Sequence, residues 1–264
     1  MMSDEKATMN YQYFAMLPEL LSLQRPLSDP PEHDEMLFII VHQVHELWFK
    51  ASLHEIDHAR GLFIGGEGAR AAATLKRVRS IMKVLVGQLD ILETMTPIEF
   101  ESFRDRLETA SGFQSAQFRE LEFAMGMKRA KYLKTFPDPD EQRRLKRRLK
   151  EPSLWDAFLR FLAGRGYAVP QRVLDRDVSR PVEPDREVQK VLIGLYRSDP
   201  EAVNLCERLV DLDEGFQEWR YRHIKMVERT IGSKPGTGDS AGVAYLVTTM
   251  HPAFPDLWEI RSAL

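Results

Sequence analysis

The sequence predicts an all-α protein, a helical bundle, on three observations. Apolar residues recur at alternating steps of three and four over two long stretches, which is the periodicity of a buried helix face. Alternating strand patterns are almost absent, and well-formed helix starts stand just after the breaks in the pattern.

Taken in order, residues 1–32 read as an N-terminal segment ending in a Pro- and Asp-rich loop at 25–31. The first long pattern runs from about 34 to 61. Leu37, Val41, Val44 and Trp48 define one face, and Phe38, His42, His45 and Phe49 define its neighbour. Thr96-Pro97-Ile98-Glu99 writes a helix start, with a capping threonine, a proline at the first helical position and a glutamate three residues after the cap. Residues 135–139 read as a loop, and the basic stretch at 143–150 as the solvated face of a helix. A further loop is expected at 164–184. Asp199-Pro200-Glu201 then opens the longest pattern, which ends near Ile231. Its stripe is Leu205, Leu209, Leu212, Phe216, Trp219 and Met226, with His223 occupying the one remaining step. The glycine-rich run at 232–242 reads as a loop.

Composition bounds the function. The 264 residues carry 37 Lys+Arg against 40 Asp+Glu, a net charge of −3, which argues against binding nucleic acid over the whole surface. A content of 43% hydrophobic and 29% charged residues is that of a globular protein, and no apolar run approaches the ~18–20 residues of a membrane span. The N-terminus lacks the apolar stretch of a signal peptide, so a cytoplasmic setting is expected. One cysteine, Cys206, excludes an intrachain disulfide and an all-cysteine metal cage, leaving seven histidines as the main candidate metal ligands.

Several constellations could carry chemistry. His223 interrupts an apolar stripe, which suits either a core histidine or an axial haem ligand on a rigid helix. Arg220, Arg222 and Lys225 around it could meet haem propionates or form the wet side of the helix. His54-Glu55-Ile56-Asp57-His58 matches the H-E-x-x-H zinc-peptidase pattern, but the third histidine of the extended form would fall on Ile64. Arg104 could clamp a carboxylate or pair with a neighbouring acid. Gly236-Thr237-Gly238-Asp239-Ser240-Ala241-Gly242 lacks the P-loop lysine and suits a loop closing over a small ligand.

Together these segments resemble the tryptophan 2,3-dioxygenase family. The matching blocks are Leu20-Leu21-Ser22-Leu23-Gln24-Arg25-Pro26-Leu27-Ser28, His33-Asp34-Glu35-Met36-Leu37-Phe38-Ile39-Ile40-Val41-His42-Gln43 and Glu46-Leu47-Trp48. Phe103-Arg104, Ser111-Gly112-Phe113-Gln114-Ser115, Arg220-Tyr221-Arg222-His223 and Gly236-Thr237-Gly238 follow in family order, over nearly the whole chain. The resemblance implies one haem-binding helical domain over 1–264. It also implies a homotetramer, with residues 1–32 at the subunit interface and one b-type haem per subunit, ferrous when active. It implies His223 as the axial iron ligand, with Ser111 and Gly112 in the haem-pocket loop. His42 would accept the indole N–H, Phe38 would wall the pocket, Arg104 would hold the substrate carboxylate, and Thr237 would sit near the ammonium and carboxylate. The implied reaction inserts dioxygen across the indole C2–C3 bond of L-tryptophan to give N-formyl-L-kynurenine, the entry to tryptophan catabolism by the kynurenine route.

One segment departs from the pattern. Where the family has Tyr-Gly-x-Tyr-Leu, this chain has Tyr11-Gln12-Tyr13-Phe14-Ala15, keeping the first tyrosine but losing a hydroxyl at Phe14 and three heavy atoms at Ala15. In the family this segment lines a neighbour's pocket, so the departure bears on the substrate. Two alternatives therefore stand beside the dioxygenase reading. One is a related monooxygenase converting a substituted tryptophan, such as a β-methyl one, to a 2-oxindole. The other, from a different class, is the zinc peptidase of residues 54–58.

Overall fold

The computed structural model describes residues 9–236 and 242–264. Among them there is no strand, and eight helices have eight or more residues: α1 (His33–Ile64), α2 (Gly68–Leu92), α3 (Pro97–Arg104), α4 (Ala116–Met125), α5 (Pro139–Lys150), α6 (Leu154–Gly164), α7 (Arg186–Ser198) and α8 (Pro200–Ile231). The all-α expectation holds. No helix of the described residues is long and apolar enough to cross a membrane.

Two helices of 32 residues, α1 and α8, form the frame; at 1.5 Å per residue each spans about 48 Å. Their starts follow the sequence signals. Asp199 accepts hydrogen bonds from the Glu201 and Ala202 amides ahead of Pro200, and Thr96 and Glu99 close a reciprocal capping box on α3. The apolar stripe of α8 is buried as expected: Leu205, Leu209, Leu212, Phe216, Trp219 and Met226 all lie in the core. On α1 the buried stripe is Val41, His45, Phe49, Leu53 and Ile56, so the more deeply buried face is the one shared by Val41 and His45. Helix α2 packs on both α1 and α8 through Leu75, Val78, Met82, Leu85 and Leu89.

Two sequence expectations are corrected. The basic helix α5 is not simply a solvated face. Leu145 and Leu149 are buried in a second apolar cluster with Phe123, Tyr132 and Phe136. Arg148 is itself buried, forked onto Asp57 of α1 (Nη2–Oδ2 2.8 Å) and bonded to Glu151 (3.1 Å). The 164–184 loop contains a helical turn, Gln171–Leu174, because Gln171 to Asp175 can bond locally after Pro170. At the end of α4, Gly126 has φ +116, and a Cβ there would stand 2.7 Å from Val182 Cγ2; only glycine fits this left-handed cap. The chain's last segment is anchored to α8 by Asp213, whose carboxylate accepts from the Ala253 and Phe254 amides and the Trp258 indole, at 2.9–3.0 Å.

Candidate functional site

Helices α1, α2, α3, α4 and α8 and the segments at 111–115 and 242–249 line a cavity of about 240 Å³. Most of its wall is apolar. Phe38 of α1 meets Phe100 and Phe103 of α3 at ring-centroid distances of 5.6 and 5.4 Å, and Phe100 with Leu89, Leu92, Met95 and Phe118 lines the space. Of the residues singled out in the sequence, the cavity gathers Phe38, His42, Arg104, Ser111, Gly112, Arg220 and His223.

His223 lies deep in the fold, and its remaining accessible surface opens onto the cavity. Burial, with the neighbouring His45 and His42, lowers its pKa to about 4, so the imidazole is neutral at pH 7. Among the described residues its ring makes no hydrogen bond. Its ring stacks instead on Trp219, one turn earlier on α8, with centroids 5.2 Å apart and planes inclined by 12°. A neutral, unpartnered imidazole on a rigid helix, facing an apolar cavity, is a ligand in waiting for a soft or borderline metal centre.

His42 also lines the cavity. Burial lowers its pKa, against the raising effects of the Phe38 carbonyl and Glu46. Its Nδ1 lies 2.7 Å from the Phe38 carbonyl oxygen. A carbonyl only accepts, so Nδ1 carries the proton and Nε2 presents a lone pair. The ring therefore offers an acceptor to a donor such as an indole N–H.

Arg104 ends α3 at the cavity edge. One guanidinium arm donates to the Pro235 carbonyl (2.8 Å) and the other reaches Glu101 (3.5 Å). The first contact ties Arg104 to the stretch that leads into residues 237–241. Thr237 lies outside the described residues; Gly236 and Gly242, on either side, line the cavity.

The charged floor was half seen in the sequence: Arg220 of α8 was a candidate, but Arg119 and Glu122 of α4 were missed, and all three are buried at the cavity. Both arginines bond the single Glu122 carboxylate, and Arg220 also donates to the Thr249 carbonyl. Two guanidinium groups share one carboxylate, so this end is net positive, and the Nε of each arginine lacks a partner among the described residues. The available signal was the run Phe118-Arg119-Glu120-Leu121-Glu122-Phe123, in which charged residues sit inside an otherwise core-forming helix. Of the three basic residues around His223, only Arg220 faces the cavity. Arg222 pairs with Asp90 and Glu93, and Lys225 with Glu228, on the wet side.

The zinc-peptidase motif does not assemble. His54 and His58 are exposed, Glu55 is held by Arg77 at 2.8 Å, and Asp57 by Arg148. Among the described residues no cluster of His, Cys, Asp or Glu could hold a metal ion. Tyr11, Phe14 and Ala15 do not line this chain's own cavity: Tyr11 and Phe14 belong to an exposed helical turn, Tyr11–Phe14, and each is 77% exposed.

Comparison with known proteins bears on this arrangement. The family model for tryptophan 2,3-dioxygenase matches residues 2–164 and 185–264. A tryptophan 2,3-dioxygenase of Herpetosiphon aurantiacus is 53% identical over 256 residues, covering 97% of this chain and 98% of the relative. That of Anaeromyxobacter sp. strain K is 53% identical over 264 residues, covering 99% and 98%. The enzyme of Caulobacter vibrioides is 45% identical over 262 residues, covering 97% and 98%. A wall-to-wall match of this depth, on a helical frame that brings the matching residues to one cavity, leaves one conclusion: the chain belongs to the tryptophan 2,3-dioxygenase family.

Proposed function

We propose that this protein is a haem-dependent oxygenase acting in tryptophan catabolism, converting L-tryptophan and dioxygen to N-formyl-L-kynurenine. The observation that carries the reading is the neutral imidazole of His223, without a hydrogen-bond partner among the described residues and opening onto an aromatic-lined cavity. The residues present fit a haem. His223 would ligate the iron, the apolar wall suits the macrocycle, and the excess guanidinium charge of Arg119 and Arg220 over Glu122 suits an anionic edge. Ser111 and Gly112 border the same space. A b-type haem, ferrous in the active state, supplies the oxygen activation that no side chain performs.

The chain's own residues bind and orient the substrate. His42 accepts the indole N–H at Nε2, its tautomer fixed by the Phe38 carbonyl. Arg104 pairs with the carboxylate, and the family resemblance assigns Thr237 to the amino-acid end, so the indole is held at one pose, which is positional catalysis. Phe38 and its aromatic neighbours pack the ring face and exclude water.

The chain acts as one domain within a homotetramer in the cytoplasm. The exposed apolar residues of the N-terminal segment, among them Tyr11, Tyr13, Phe14 and Leu21, are covered by a neighbouring subunit, where Tyr11, Phe14 and Ala15 wall the cavity. Curated relatives named as tryptophan 2,3-dioxygenases do not favour the 2-oxindole alternative, and the dispersed residues 54–58 do not favour the peptidase. The test is the mass of the product formed from L-tryptophan under oxygen-18. Two labelled atoms and a ring-opened product support the proposal. A single labelled atom, or no reaction by the haem-loaded protein, overturns it.

A further inference from the structure

Metal-bound histidines are normally oriented by a hydrogen bond from the ring nitrogen that does not face the metal. Among the described residues His223 has no such partner, and the contact that fixes its plane is the stack on Trp219. Trp219 is in turn held on its other sides. Phe118 and Phe49 pack on its ring, with centroids at 4.9 and 5.9 Å, and its Nε1–H donates to Nε2 of His45 at 3.4 Å, a long hydrogen bond. His45 is buried on α1, one turn beyond His42, and its own Nδ1 lies 2.8 Å from the Val41 carbonyl. That carbonyl fixes the proton on Nδ1 and leaves Nε2 as an acceptor. The indole N–H is a donor only, so the two groups match.

We infer that His45 is a positioning residue, setting the orientation of the His223 imidazole through the Trp219 indole. The aromatic contacts pack the indole, and the hydrogen bond it donates to His45 on α1 ties down its N–H edge. The two long helices are thereby coupled at the point where the ligand leaves α8, and the rigidity of the ligand comes from a side chain that does not touch it. This inference rests on the reading of His223 as the iron ligand.

The test uses the haem-loaded protein and the iron–histidine stretching band of its ferrous form. His45→Leu should retain haem, shift and broaden that band, and bind haem about ten- to a hundredfold more weakly, the usual range for loss of a ligand's supporting partner. His45→Gln offers an amide oxygen at similar reach and should restore the band and most of the affinity. In a Trp219→Phe background, which keeps an aromatic ring but has no N–H, His45→Leu should produce no further shift. Should His45→Leu not fold, the remaining pair decides: Trp219→Phe must move the band and His45→Gln must not. An unmoved band in His45→Leu, or an equal shift with and without Trp219, overturns the inference. Failure of the underlying reading looks different: His223→Ala would then keep the band, or the wild type would show none.

Discussion

Removing the acceptor at His42 probes substrate orientation directly. The structure places a neutral imidazole at the cavity with Nδ1 committed to the Phe38 carbonyl and Nε2 open. On the proposed pose, the polar contact that His42→Ala removes from bound tryptophan is the hydrogen bond from the indole N–H. A neutral hydrogen bond of this kind contributes ~0.5–1.5 kcal/mol net, which is roughly 2- to 13-fold in kcat/KM. If the N–H is left buried without a partner, the loss rises to ~1–3 kcal/mol, up to roughly 150-fold. The assay is a cycle of two enzymes and two substrates, L-tryptophan and its benzothiophene analogue, in which sulfur replaces the N–H. Haem content, measured from the absorption spectrum, should be unchanged in His42→Ala. The variant should lose most of its preference for tryptophan over the analogue, by the factor above. Equal falls for both substrates would refute the assigned hydrogen bond, and loss of haem would mean that His42, not His223, holds the iron.

Arg104→Ala should lower kcat/KM for tryptophan by at least about thirtyfold, since losing one partner of a desolvated charge pair costs ~2–5 kcal/mol; wild-type turnover of tryptamine as fast as tryptophan would refute the clamp. Glu122→Gln leaves Arg119 and Arg220 buried without a counter-charge, so urea unfolding should show a loss of ~3–5 kcal/mol; a change below about 1 kcal/mol would show that the charge is met elsewhere. Asp256 is buried, and burial raises its pKa to about 6 against the hydrogen bonds it accepts from the Asp185 amide and Gln189. The folded chain therefore holds more protons than the unfolded one between about pH 4 and 6, and stability falls as pH rises through that window. Asp256→Asn should match the wild type near pH 3.5–4 and exceed it above pH 6 by on the order of 1–3 kcal/mol in urea unfolding; a pH-independent difference would contradict the assignment.

Much of the frame was legible because one physical rule wrote it. The stripe of α8 follows 3.6-residue periodicity, and His223 stood out as the single polar member of a buried face. Caps at Thr96 and Asp199 fixed two helix starts to the residue. Arg119 and Glu122 were opaque for the opposite reason: charged residues predict exposure, and only tertiary pairing of α4 with α8 makes their burial tolerable. Arg148 on α5 was misread by the same rule, since its partner Asp57 is 91 residues away in sequence. Periodicity placed His42 and His45 on one face but could not separate their tasks. That distinction depends on which ring nitrogen meets a backbone carbonyl and on Trp219 lying beside only one of them. The N-terminal turn at Tyr11–Phe14 is exposed on a single chain, and periodicity within one chain does not encode the subunit contacts that the proposed assembly assigns to it.

The central claim is that His223 is the protein ligand to a haem iron. The most direct measurement is the absorption spectrum of His223→Gly, purified alongside the wild type and then titrated with imidazole. The variant should be isolated nearly free of haem, and imidazole filling the vacated space should restore haem binding and a wild-type-like band. A variant that keeps the native haem spectrum and full activity without imidazole would contradict the account.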